Sequence, residues 1–166
     1  MKKIISLLII SALAFSLASC KKEETSAGTV SVTEYYTNFC LQAGESITDS
    51  AKEFLDENSS IFISGGYSRD RFASNSFHFD EYYDNPAGYR SGLAELYDLQ
   101  VLSCNKTDGA NPGLLLELTD GNNGYAVFIF GNYDAPSEGD RVSLVALPLC
   151  ACSEEVLVLF AGVSFM

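Results

Sequence analysis

Two spacings of apolar residues divide the chain. Val32, Tyr35, Tyr36, Phe39 and Cys40 recur at three-to-four-residue intervals, the spacing that lines one face of a helix. Gly44 supplies a stop, so Val30 to Ala43 is expected to form a short amphipathic helix or an ordered lead-in. Thr48-Asp49-Ser50 then offers N-cap side chains with acids in the first turn. Ala51, Phe54 and Leu55 give an apolar side and Asn58-Ser59-Ser60 ends the pattern, which predicts a helix over 49–58. Ile61-Phe62-Ile63 reads as a short strand running into Gly65-Gly66. Residues 67–92 keep neither spacing and read as an irregular loop with one helical turn near 80–84.

From Leu93 the interval becomes two. Leu93 to Cys104 alternates loosely and Asn105 to Gly113 reads as a turn. Leu114-Leu115-Leu116-Glu117-Leu118 is a strand, Asp120-Gly121-Asn122-Asn123-Gly124 has hairpin chemistry, and Tyr125 to Phe130 is the next strand. Pro136 to Asp140 turns the chain. Arg141 to Cys152 is a long strand interrupted at Pro148, which marks an edge or a bulge because proline lacks an N–H. Ser153-Glu154-Glu155 is a turn and Val156 to Phe165 a last strand. Its nearly unbroken apolar run, Val156 to Phe160, belongs to a strand covered on both faces. Short helices followed by five strands predict an α+β fold with a small five-stranded antiparallel barrel. The alternative is an open antiparallel sheet with helices on one face.

Ahead of the helices, Met1-Lys2-Lys3 is basic, and Ile4 to Ser19 is apolar with only serines as polar breaks. That run is short of the ~20 residues that cross a bilayer. A basic start, an apolar stretch and small residues before a cleavage point make a signal peptide. Leu17-Ala18-Ser19-Cys20 resembles the lipobox of bacterial lipoproteins, with Leu17 at −3 and Cys20 at +1. The resemblance implies that the Cys20 thiol takes a diacylglyceryl group before cleavage and that the new N-terminus is acylated in turn. Several acyl chains hold a protein far more firmly than one. A plain secretory signal is the alternative. Lys21 to Thr29 is polar and reads as a flexible tether. Within it, Lys22-Glu23-Glu24 resembles a surface-export signal of some such lipoproteins; a solvated charged spacer is the alternative. The expected organisation is a signal peptide at 1–19, lipidated Cys20 and tether at 20–29, a helical region at 30–66, an irregular loop at 67–92 and a barrel at 93–166. The expected location is the bacterial cell envelope, lipid-anchored at the outer membrane on its periplasmic or outer side.

With 166 residues, the chain holds one domain plus a tail. Its 47% apolar content is enough for a packed core and excludes a wholly disordered chain. The net charge is −12, and removing the segment that carries Lys2 and Lys3 leaves eight basic against 22 acidic residues, a net −14. Such a surface repels phosphate backbones, so nucleic acid is not an expected partner.

The stretch Asn85-Pro86-Ala87-Gly88-Tyr89 leads into the first long strand, and Glu138-Gly139-Asp140 precedes the fourth. With the tight hairpin between the second and third strands, residues 80–166 resemble the OB-fold modules of bacterial envelope lipoproteins. The first strand lacks their Gly-rich start, and the helical 30–65 region is an addition. The resemblance implies ligand binding on the face of strands two and three, where Tyr125, Phe128 and Phe130 supply aromatics. Basic residues do not accompany them, since Lys106 and Arg141 are the only ones after Arg90.

Besides Cys20, the chain has Cys40, Cys104, Cys150 and Cys152, enough for two disulfides in an exported domain. Cys150 and Cys152 share one face of a strand and are poor partners for each other. Antiparallel pairing of the first and fourth strands would place Cys104 nearer Val142 than Cys150, which leaves Cys40 as the freer partner. The alternative is four reduced thiols buried as small apolar residues. His78, the only histidine, lies between Phe77 and Phe79 with no nucleophile motif beside it. Zinc would need four ligands at suitable spacing. Asp80, Glu81 and Asp84 lack calcium-loop spacing. No metal, cofactor or catalytic residue is therefore assigned. The chain reads as a membrane-anchored binding or interaction module whose protein or small-molecule partner the residues do not name. A hydrolase using the acidic 67–92 loop, with Arg71, His78, Asp80 and Glu81 converging, is the second reading; a structural assembly subunit is the third.

Overall fold

The helices form where the caps and apolar spacing place them. In the computed structural model, which describes residues 31–63, 67–89, 92–108, 111–152 and 156–166, helix α1 spans Val32–Gln42 and α2 spans Asp49–Asn58. The Ser31 hydroxyl accepts from the Glu34 N–H at 3.1 Å and the Thr48 hydroxyl from the Ala51 N–H at 3.3 Å, satisfying amides that a helix start leaves open. Gly44, at φ 79°, provides the left-handed turn that ends α1. The lipobox with Cys20, the tether, Gly65-Gly66 and the turn at 153–155 lie outside the described residues.

Residues 61–63 are helical, not extended. Ser59 stays in the right-handed helical region, and a one-turn helix, α3, follows over Ser60–Ile63. A strand would send Ile61 and Phe62 to opposite faces. Both are instead buried together, while Ile63 is exposed. The 67–92 segment is also more ordered than its spacing suggests. It holds strand β1 at Ser74–Ser76, helix α4 at Phe79–Asp84 and a 3₁₀ turn at Pro86–Gly88. β1 is entirely Ser and Asn and has no apolar signal to read. In the 3₁₀ turn the Asn85 side chain accepts from the Gly88 N–H at 3.0 Å. Any Cβ on Gly88 would lie 2.2 Å from the Asn85 amide nitrogen, so the turn requires glycine there.

Five longer strands follow: β2 (Leu93–Thr107), β3 (Gly113–Thr119), β4 (Gly124–Phe130), β5 (Arg141–Cys152) and β6 (Leu157–Phe165). The sheet order is β1-β2-β3-β4-β6-β5, and β5 pairs back onto β2. This is a closed five-stranded, OB-like barrel with β1 as an extra strand. Its β4–β6 pairing is parallel, as is β1–β2, which corrects the expectation of a purely antiparallel barrel. The reason is arithmetic, because strand directions cannot alternate around a closed ring with an odd number of members. β5 runs against β2 and β6 against β5, so β6 must run with β4.

The two faces of the sheet bury different sets of residues. Inside the barrel, every strand contributes, including Leu99, Leu116, Val127, Leu144 and Phe160. Phe79 and Tyr82 of α4 join this interior set. The outer face of β4, β5 and β6 packs Phe128, Leu147 and Leu159 against Tyr36, Phe39, Leu55 and Phe62 from the helices. All residues from Leu157 to Val163 are buried, as expected of a strand covered on both sides. The turn before β5 docks by backbone bonds, Gly139 N–H to Val101 O at 2.9 Å and Val101 N–H to Asp140 O at 2.8 Å. Pro148 sits where the β5–β6 register slips, the bulge its missing donor predicts.

Two outcomes test this packing. Removing Val156 to Met166 withdraws the strand between β4 and β5. Burial of each large apolar side chain is worth about 1.5–3 kcal/mol, against a total stability of about 5–15 kcal/mol, so the truncated chain should show no cooperative thermal transition by circular dichroism. Gly162 faces Ile129, and a Cβ there would lie 2.7 Å from the Ile129 Cβ. Gly162→Ala should cost about 1–3 kcal/mol in a urea titration.

Candidate functional site

The face on which the barrel resemblance places a ligand is occupied by the chain's own first helix. The Tyr36 hydroxyl donates to the Phe128 carbonyl at 3.0 Å. The Tyr35 ring lies 4.8 Å from the rings of both Phe128 and Phe130. Phe128 is fully buried and Phe130 nearly so. Tyr125 belongs to the other face, because strand side chains alternate. It lies inside the barrel beside Phe160 at 6.0 Å, and its hydroxyl donates to Asp120 at 2.8 Å. These three aromatics are therefore core residues and do not form one stacking surface.

The acidic 67–89 segment closes one end of the barrel. Phe77 packs edge-on to Phe160 at 5.0 Å, and Tyr82 packs on Tyr89 at 5.1 Å. His78 is exposed at the start of α4 and makes no cap bond, while Asp80 and Glu81 follow on its outer side. Arg71 lies 6.0 Å from the Phe72 ring. Among the described residues, no hydrogen bond or ion pair links Arg71, His78, Asp80 and Glu81. A shallow cleft of about 370 Å³ lies elsewhere, between the start of α1 and the ends of α2 and β4. Its one acid, Asp56, already accepts the Thr33 hydroxyl at 2.6 Å.

The densest polar cluster is one the sequence analysis does not single out. Glu95 on β2 accepts from the Ser74 hydroxyl at 2.6 Å, from Arg69 at 3.0 Å and from the Tyr97 hydroxyl. Tyr67 and Ser74 share a hydrogen bond at 3.2 Å, and Arg69 also reaches the Met166 sulfur at 3.4 Å. Donation from Ser74 and then Tyr97 holds the Glu95 carboxyl below its usual range, and the same carboxylate raises the Tyr97 phenol. With three donors on it, Glu95 is a poor candidate for a general base. The cluster acts as a clamp that fixes β1 and the C-terminus to the barrel. Its members are scattered through the sequence, and only the parallel β1–β2 pairing brings them together.

No sulfur–sulfur bond joins Cys40, Cys104, Cys150 and Cys152 in the structure. Cys40 on α1 and Cys150 and Cys152 on β5 are buried in one apolar cluster, and Cys104 is partly exposed on β2. Burial raises the Cys104 thiol, and the neighbouring Cys40 thiol followed by burial raises Cys150. Raised thiols are poor nucleophiles. Among the described residues, no three His, Cys, Asp or Glu side chains are grouped to hold a metal ion. With this geometry in view, comparison with family models, characterised proteins and solved structures yields no match.

The clamp predicts a pH effect of known sign. A carboxyl whose folded pKa is lowered stabilises the fold above its unfolded pKa, and that contribution disappears as pH falls through the folded value. The wild-type urea midpoint should therefore drop on acidification through and below the ordinary glutamate range. Glu95→Gln should be less stable at pH 7 and show a flatter pH dependence over the same range.

Proposed function

We propose that the chain is a bacterial envelope lipoprotein. Residues 1–19 direct export and are removed, Cys20 carries the lipid, and the barrel is held at the outer membrane as a non-enzymatic binding or interaction module. The observation that carries this reading is the sequence Leu17-Ala18-Ser19-Cys20, which stands between an apolar run and a polar stretch. No helix among the described residues is long and apolar enough to cross a membrane. One feature of the domain supports the reading. The strongly acidic chain would not be drawn to anionic headgroups by charge, so a covalent anchor supplies what electrostatics does not. Ten residues lie between Cys20 and Ser31, a span of at most about 40 Å when extended, so the barrel would stand close to the bilayer. The 67–89 segment closes the barrel end with its aromatics, and Arg71, His78, Asp80 and Glu81 stand exposed around it.

Fractionation tests the proposal. The wild-type chain should sediment with membranes and incorporate labelled palmitate. Cys20→Ala should either be released to the soluble fraction or persist as a larger, uncleaved precursor, without label. A Cys20→Ala chain that is still processed and membrane-bound would overturn the anchor, and a soluble wild-type chain would favour a plain secretory signal.

A further inference from the structure

We propose that the cleft at the start of α1 receives a lysine side chain of a partner protein, with the ammonium on Asp56 and the methylenes on Ile63 and Phe130. Such a site deepens the interaction-module reading above and rests on it, but not on the lipid anchor.

Three elements converge at the cleft. Thr33 stands in the first turn of α1, Asp56 and Ser59 at the end of α2, and Phe130 at the end of β4, while Ile63 and Asn111 complete the wall of a space of about 370 Å³. Ile63 is 60% exposed, more than any other large apolar side chain among the described residues. Thr33 is buried, and its hydroxyl donates to Oδ1 of Asp56 at 2.6 Å. That bond fixes the carboxylate in the wall while Asp56 itself stays exposed. Oδ2 takes part in no hydrogen bond or ion pair among the described residues. Lys52, one turn earlier on α2, makes no ion pair with it. The cleft therefore joins an apolar surface open to water with a carboxylate oxygen held in place beside it.

Charge and shape together select the ligand. α1 and α2 carry Glu34, Asp49, Glu53, Asp56 and Glu57 against Lys52 alone, so the potential around the cleft is negative and draws a cation. An exposed ion pair contributes little by itself. Here the stem of the ligand also covers Ile63 and Phe130, and that burial adds to the pair. Lysine has both parts, a compact charge on a four-carbon stem. Arginine fits less well, because its planar fork is matched by two carboxylate oxygens and Thr33 already occupies one. The Ser59 hydroxyl and the Asn111 amide each donate and accept, as the backbone on either side of a bound lysine requires. That pairing favours a lysine presented by a protein over a free amine.

Amide chemical shifts of the isotope-labelled full chain test the site, with the capped tripeptide Ala-Lys-Ala as probe. Saturable shifts are expected at Thr33, Ile63 and Asn111. Peptides with norleucine, arginine or glutamate in place of lysine, and butylamine alone, should all bind more weakly. Asp56→Asn should weaken the lysine peptide by about fivefold or more, and added salt should weaken it in the wild type more than in the variant. Ile63→Ser should weaken the lysine and norleucine peptides alike. Both substitutions are at exposed positions, and unchanged melting curves would show that the variants fold. Absence of saturable shifts, equal binding of the norleucine or glutamate peptide, or an Asp56→Asn affinity equal to wild type overturns the proposal. Butylamine binding as tightly as the peptide overturns the protein partner. Fractionation of Cys20→Ala reads the anchored module separately, so loss of this site and loss of that reading are told apart.

Discussion

Closure of the barrel depends on one strand having its two halves paired differently. The first half of β2 is hydrogen-bonded to β5 and the second half to β3, and Gln100 is paired with Arg141 on one side and Thr119 on the other. A straight strand cannot serve both neighbours, and the register slips between Leu96 and Leu99. Asp98 there adopts φ 52°, an uncommon left-handed conformation for a residue with a side chain. Arg141 holds the bend, donating to the Asp98 carbonyl at 2.6 Å and its carboxylate at 2.9 Å. With five strands in the ring, the parallel β4–β6 contact follows from this closure.

Closing the ring settles the fate of both sheet surfaces. The interior fills with Leu, Val and Phe from all five strands. The outer surface of β4, β5 and β6 is still apolar, and α1, α2 and α3 cover it. This arrangement explains why the surface expected to receive a ligand is unavailable in this conformation. Phe128 and Phe130 hold the helix in place. An interaction module built this way would present partners with its loops and remaining strand edges rather than with a sheet face.

Much of the architecture was legible because each element had a local cause. Thr48 and Gly44 marked helix ends through their capping chemistry, while the Ser31 cap emerged only in the structure. The Asp120–Gly124 stretch marked the hairpin, where Asp120 accepts from the Asn122 and Asn123 amides at 2.8 Å. The continuous apolar run of β6 implied cover on both sides. Features created by the third dimension were not legible. β1 has no apolar residue and exists because β2 offers it an edge. The Glu95 cluster joins residues from 67 to 166 that no spacing connects. Tyr125 was grouped with Phe128 although an odd separation places them on opposite faces.

The short β1 also bears on how the domain keeps to itself. β3 pairs only with the second half of β2, so the first half would otherwise leave a row of free backbone donors and acceptors along Leu93–Glu95. An open edge of this kind is a template for another chain's strand. Ser74–Ser76 fills that row, and its burial pattern turns Asn75 and Ser76 to water. The stub is three residues long, polar and pinned by the Glu95 clamp, so it offers little on which a further strand could grow. It thereby guards against fibre-like, edge-to-edge association between copies of the chain.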